Sequence, residues 1–212
     1  MTQMKNTLFL IAIITGVSAA GENAQSVIKK VQNKYKKTDT FTLNFNYEFK
    51  WKLTGKQQTL SGKLYFEKEN HIRYELGGQL NVTDGETVWQ YSVHERQVLI
   101  DNLRKNSKSM FMPKYFLYEY LDKFIAEIVK TELIGGRTFY VVRLDPRERD
   151  DFIQNMKVWI AEDVWMVEKV EYNDLEGNTI SYAFTQIELD KPLSPSLFKF
   201  EVEPGMQVVD LR

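Results

Sequence analysis

The sequence has 212 residues, no cysteine, and 28 lysine and arginine side chains against 29 acidic ones, for a net charge of −1. That balance lacks the basic excess of a nucleic-acid footprint. The missing cysteine excludes a disulfide scaffold, Cys-ligated zinc or iron–sulfur sites, thiol catalysis and a lipid-modified N-terminal Cys. With 43% hydrophobic and 27% charged residues the chain has the composition of a folded protein, and its 13 Phe, 11 Tyr and 4 Trp are the feature that needs an explanation.

The N-terminus carries Lys5, an apolar run from Leu8 to Val17, and then the small residues Ser18, Ala19 and Ala20. This order of positive, apolar and small segments predicts a secretory signal peptide over 1–19, cleaved after Ala19, with the apolar run too short to span a bilayer. The exported chain, 20–212, contains no later stretch apolar enough to cross a membrane. Export without cysteine predicts the periplasm.

From Asn23 to Lys37, Ala24, Val27, Ile28, Val31 and Tyr35 recur at helical spacing, with lysines on the other side. The basic face is either a solvated surface or a docking face for an acidic partner. After Asp39 the period switches to 2: Phe41, Leu43, Phe45, Tyr47, Phe49, Trp51 and Leu53 alternate with polar residues, predicting a long strand with one apolar face. Such alternation marks an antiparallel sheet. It continues through Leu60–Phe66, Ile72–Leu76, Leu80–Thr83, Thr87–Val93 and Gln97–Ile100, with Asp84-Gly85 as a hairpin turn.

Between Ser107 and Lys123 the strand period stops, and Leu117, Tyr120, Leu121 and Phe124 fit one face of a helix that Pro113 could open. Strands resume at Phe124 or Ile128, turn at Gly135-Gly136, and return through Thr138–Leu144. Met156–Ala161, Trp165–Tyr172 and Thr179–Leu189 follow, then a capped turn at Ser194–Ser196 and a last strand after Pro204-Gly205. No repeat or linker interrupts the chain, which predicts one domain over 20–212.

Chemistry has no visible home. Two histidines, His71 and His94, are too few for a metal site without several carboxylates, and there is no G-x-S-x-G, G-x-G-x-x-G or Walker sequence. The sequence therefore predicts no metal, no cofactor and no enzymatic activity. About eleven strands are many for two helices to cover. The apolar faces either close on themselves as a filled core or leave a cavity, and Phe, Tyr, Trp and Met suit a lipid there.

Several stretches in order resemble one family, the periplasmic outer-membrane lipoprotein carriers of the LolA type: Thr40-Phe41 with Phe45, Gly62-x-Leu64-Tyr65-Phe66, Ile72-x-Tyr74, the core Asp84-Gly85-x-Thr87-x-Trp89-x-Tyr91, and the ending Leu197-Phe198-x-Phe200 with Pro204-Gly205 and Val208-Val209-Asp210. The resemblance implies an unclosed antiparallel β-barrel of about eleven strands, mainly β with an α lid, whose helices cover a hydrophobic cavity. It implies a carrier that receives acylated lipoproteins from an inner-membrane lipoprotein-releasing ABC transporter and delivers them to an outer-membrane acceptor. The missing Cys fits the unanchored carrier and not an anchored acceptor.

On this view Phe45, Phe49, Phe66, Ile72, Tyr74, Trp89 and Tyr91 line the concave face, with Phe116, Leu117 and Leu121 on the lid. One departure stands out: Lys68-Glu69 occupies the place of an Arg-Pro whose Arg latches the lid in the family, and Lys lacks the planar donor fork. Two further readings remain open, a carrier or sensor of free lipid or glycolipid on the same fold, and a structural β protein with a filled core.

Overall fold

A computed structural model describes residues 22–103, 123–148 and 153–212. Among these described residues one helix, α1 (Ala24–Lys37), precedes twelve strands: β1 (Thr40–Lys50), β2 (Gln57–Glu67), β3 (His71–Leu76), β4 (Gln79–Asp84), β5 (Thr87–Ser92), β6 (Gln97–Asn102), β7 (Phe124–Ile134), β8 (Arg137–Pro146), β9 (Ile153–Ala161), β10 (Met166–Asp174), β11 (Thr179–Leu189) and β12 (Gln207–Asp210). They form one sheet in the order β12-β6-β5-β4-β3-β2-β1-β11-β10-β9-β8-β7. The expected mainly-β, unclosed antiparallel architecture is present, with one more strand than the expected eleven or so. Its ends, β12 and β7, do not meet, and β12 runs parallel to β6. The expected signal peptide and the expected lid segment with Phe116, Leu117 and Leu121 lie outside the described residues.

Helix α1 begins where the Asn23 side chain accepts a hydrogen bond from the Ser26 N–H at 2.8 Å, an N-cap that satisfies one orphan donor. Lys34, Lys36 and Lys37 in its last turn suit the negative end of the helix dipole. It buries Val27, Ile28, Val31 and Tyr35 against one face of the sheet, called here the inner face, and Tyr35 meets Phe41 edge-on at 5.9 Å.

Strand β1 stops earlier than its alternation suggests. A turn closes at Trp51, whose N–H donates to Lys56 O at 3.0 Å while Gly55 N–H donates to Trp51 O at 2.9 Å, and this leaves Leu53 97% exposed. Strand β10 likewise starts one residue later than expected, because Trp165 has a φ of 54° and belongs to the β9–β10 turn.

The apolar side of the sheet changes face between β3 and β4. From β7 through β11, β1 and β2 to β3, the core residues point inward; these include Leu144, Met156, Val170, Ile180, Phe45, Phe66 and Ile72. Beyond β3 the cross-strand rows continue inward as Ile72–Thr83–Val88–Asp101 and Tyr74–Asn81–Gln90–Leu99, which are more polar. The apolar residues of β4 to β6, among them Val82, Trp89, Tyr91, Val98 and Ile100, occupy the alternate rows and face outward. There the C-terminal tail covers them: the 3-10 helix Pro195–Phe198 packs on β3 and β4, Phe198 is 1% exposed and sits 5.5 Å from the His71 ring, and Phe200 lies 5.4 Å from Tyr91.

Candidate functional site

The inner face carries an aromatic band. On β1, Phe41, Leu43, Phe45, Tyr47 and Phe49 point inward, and their partners set the rows: Phe41 opposite Phe66, Leu43 opposite Leu64, Phe45 opposite Phe184, Tyr47 opposite Tyr182 and Phe49 opposite Ile180. Phe66 then pairs with Ile72 and Leu64 with Tyr74. Ring contacts bind the rows together: Phe41 stacks on Phe66 at 4.8 Å, Phe45 on Tyr74 at 5.2 Å, and Tyr182 lies 5.9 Å from Phe45 and 5.2 Å from Tyr47.

The structure thus brings together five of the seven expected strand residues, Phe45, Phe49, Phe66, Ile72 and Tyr74. Phe45, Phe66, Ile72 and Tyr74 are buried and Phe49 is half-buried. Trp89 and Tyr91 are placed on the other face. Arg73, Val82, Trp89 and Ile100 form one row, offset by a residue from Ile72, so neither Trp89 nor Tyr91 reaches the inner band. Their motif builds a turn instead. Asp84 Oδ1 accepts from the N–H groups of Glu86 and Thr87 at 3.0 and 2.8 Å. Gly85, at φ 92°, packs so closely on the β2–β3 turn that a Cβ there would come within 2.6 Å of Glu69 O.

Sequence reasoning missed the second half of the band. Tyr172, Ile180, Tyr182 and Phe184 come from β10 and β11, whose alternation is as regular as that of β1 but carries no distinctive motif. It also missed Trp165, which stacks on Tyr140 at 5.9 Å and receives Lys30 Nζ 4.2 Å above its ring, closing the core beside α1.

Hydroxyl groups are the band's polar element. Tyr74 meets Tyr182, and burial raises the pKa of Tyr47, Tyr74 and Tyr182 above the ordinary phenol value. At the edge of the core burial, then Glu162, which accepts the Tyr140 hydroxyl at 2.9 Å, push Tyr140 up to about 12. Half-buried Tyr47 and Tyr182 thus place phenol hydroxyls at the margin of an otherwise apolar band.

Strands β10 and β11 part after the Lys169–Ala183 pair, and a groove of about 280 Å³ opens beside Met166, Phe184, Ile187 and Leu189. Arg137 at its rim is engaged with Asp163 and Glu168, at 2.8 and 2.7 Å.

Lys68 lies in the turn between β2 and β3. It pairs with Asp39 at the start of β1. Glu69 and Asn70 both have a φ of 68°, in the left-handed region, within the three-residue turn Lys68–Asn70 that joins the paired Glu67 and His71. Proline, fixed near −65°, cannot occupy position 69 in this turn.

Among the described residues no group of His, Asp and Glu could hold a metal, and no helix is long and apolar enough to cross a membrane.

The model of the family described as outer membrane lipoprotein carrier protein LolA matches residues 36–201. An uncharacterised protein of Methanocaldococcus jannaschii is 28% identical over 97% of this chain, which spans 60% of that relative's length. The outer-membrane lipoprotein carrier protein of Pseudomonas aeruginosa is 23% identical, with 96% of this chain and 97% of the relative covered. Among solved structures, an uncharacterised conserved protein from Thermus thermophilus shares the fold with a TM-score of 0.59 at 12% identity, over 88% of this chain and 98% of that one.

Proposed function

The chain belongs to the outer membrane lipoprotein carrier family LolA, and from that premise we propose that it is a non-catalytic periplasmic carrier that shields the acyl chains of lipoproteins on its inner face. The observation that carries this reading is the aromatic band itself: Phe45, Phe66, Ile72 and Tyr74 share one apolar core cluster with the buried residues of α1, with half-buried Phe49, Tyr47 and Tyr182 at its margin. The leader over 1–19 would direct export. An inner-membrane lipoprotein-releasing ABC transporter would load the carrier, and an outer-membrane acceptor would unload it.

Energetics constrain how the chains are held. Burial of an acyl chain is worth about 0.8 kcal/mol per CH₂, so full enclosure of a long chain would oppose release. A carrier works better if the chains stay partly exposed, or if they displace side chains that already fill the core.

The test is release of an acylated lipoprotein from spheroplasts by the added protein, compared between wild type, Ile72→Glu and Phe49→Glu. Both variants are expected to lose release and lipoprotein binding. Because Ile72 is 5% exposed, circular dichroism must first show that its variant folds; half-buried Phe49 gives the second, milder probe. Normal release by a folded variant of both sites would overturn the reading.

The tyrosine hydroxyls favour one second reading, a carrier or sensor of free lipid or glycolipid, whose ester or sugar groups they could bond. Native mass spectrometry of protein taken from cells separates the two: an acylated polypeptide supports the first, a small lipid the second.

A further inference from the structure

The carrier reading gives no role to a pocket at the edge of the inner core. It lies where α1 meets the start of β7, has a volume of about 300 Å³, and its lining is chemically divided. Its floor is apolar: Ile28 and Phe124 are buried members of the inner core and Ala126 packs against that core. Its rim is cationic, formed by exposed Lys29 and Arg147. Gln25 and Gln32 add side-chain amides, and with Ile28 and Lys29 they fall at i, i+3, i+4 and i+7 of α1, one stripe of the helix.

The two cations differ from their neighbours. Lys30 is held by Glu22 and by the Trp165 ring, and Arg143 by Glu127 and Asp145. Neither Lys29 nor Arg147 has a carboxylate partner among the described residues. Arg147 is anchored through its backbone, whose N–H donates to Lys123 O at 2.8 Å, so its side chain projects from a fixed point.

We propose that this pocket binds the anionic headgroup of an amphiphile, a phosphate or carboxylate, with the first methylenes of its chain on Ile28, Phe124 and Ala126. Arg147 offers a planar fork to two oxygens and Lys29 a mobile point charge. A volume at the small end of the range for ligand pockets suits a headgroup and a short stretch of chain, the remainder passing along the core surface. The inference rests on the pocket and not on the lipoprotein reading.

The experiment is isothermal titration of the mature chain with dodecyl phosphate below its micelle concentration, with dodecyl maltoside and inorganic phosphate as separate arms. Dodecyl phosphate is expected to bind about tenfold more tightly than the maltoside, an advantage that shrinks with salt, while inorganic phosphate gives no saturable binding. Lys29→Gln and Arg147→Gln each weaken dodecyl phosphate by about three- to tenfold, and the double variant binds it no better than the maltoside. Lys36→Gln with Lys37→Gln, exposed on the same helix but outside the pocket, leaves it unchanged.

Equal binding of inorganic phosphate would mean a free-anion site, and equal loss in the Lys36 and Lys37 variant would mean unspecific charge; either overturns the proposal. So does equal affinity for the two detergents, a result that leaves lipoprotein release untouched and so separates failure here from failure of the carrier reading.

Discussion

The ring of Phe45 lies over Gly62, directly opposite it across the β1–β2 ladder, and reaches past it to stack on Tyr74. Gly62 has no side chain to lift that ring, and an added methyl would overlap both the ring and the Glu75 carbonyl oxygen. The first residue of the Gly62-x-Leu64-Tyr65-Phe66 stretch therefore serves close packing. Gly62→Ala is expected to destabilise the fold by about 1–3 kcal/mol, the range for overpacking a filled site. Urea unfolding measures it. In a double-mutant cycle, Phe45→Leu should cost less in the Gly62→Ala background than in wild type, because removing the ring relieves part of the clash. Additive costs would contradict this geometry.

The outward placement of Trp89 and Tyr91 lets folding be tested apart from the binding proposed for the inner band. Tyr91→Ala removes a contact with Phe200 on the face covered by the tail. It is expected to speed proteolysis of the segment after Asp190 and to leave lipid binding within about twofold of wild type. Tyr74→Ala, on the inner band, should do the reverse and weaken binding of an acyl probe by about tenfold or more. A binding loss in Tyr91→Ala as large as that in Tyr74→Ala would restore Tyr91 to the site.

That contrast also marks what the sequence could reveal. Period-2 alternation made the strands legible, and Asn23, the Asp84-Gly85 turn and the helical spacing of Val27, Ile28 and Val31 gave their borders. It could not reveal which face each strand turns inward, because a shift of one residue in register exchanges the faces without changing the pattern. Ile72 and Tyr74 pair inward and Trp89 outward only through the rows that join β3 to β4 and β5. The pocket at Lys29 and Arg147 was illegible for another reason: its lining residues lie far apart in the chain, and the lysines of α1 look alike until neighbours occupy some of them.

The phenol cluster gives a prediction in alkali. Burial raises the pKa of Tyr47, Tyr74 and Tyr182, so the folded state binds their protons more tightly than the unfolded state, whose phenols titrate near 10. Their contribution to stability is complete below about pH 10 and is lost as pH rises through the folded values. Ultraviolet titration should show a late class of tyrosines that ionise only together with unfolding. Tyr182→Phe should shrink that class; an unchanged late step would mean that other phenols compose it.

The β2–β3 turn predicts what grafting the family residues would do. Lys68→Ala removes an exposed pair with Asp39, whose side chains are 47% and 72% accessible, and should cost no more than about 1 kcal/mol. Glu69→Pro meets a different obstacle, because position 69 has a φ of 68° and the ring demands about −65°. The turn must then be rebuilt, and with it the seat of Gly85 against Glu69 O. Glu69→Pro should therefore destabilise the protein by about 3 kcal/mol or more, well beyond Lys68→Ala. The combined Lys68→Arg and Glu69→Pro chain should be no more stable than Glu69→Pro alone, since the new Arg has no preformed turn from which to reach a lid. Urea midpoints for the four chains decide it: recovery of stability in the combined variant would show that the Arg-Pro pair brings its own turn and finds a partner for its Arg.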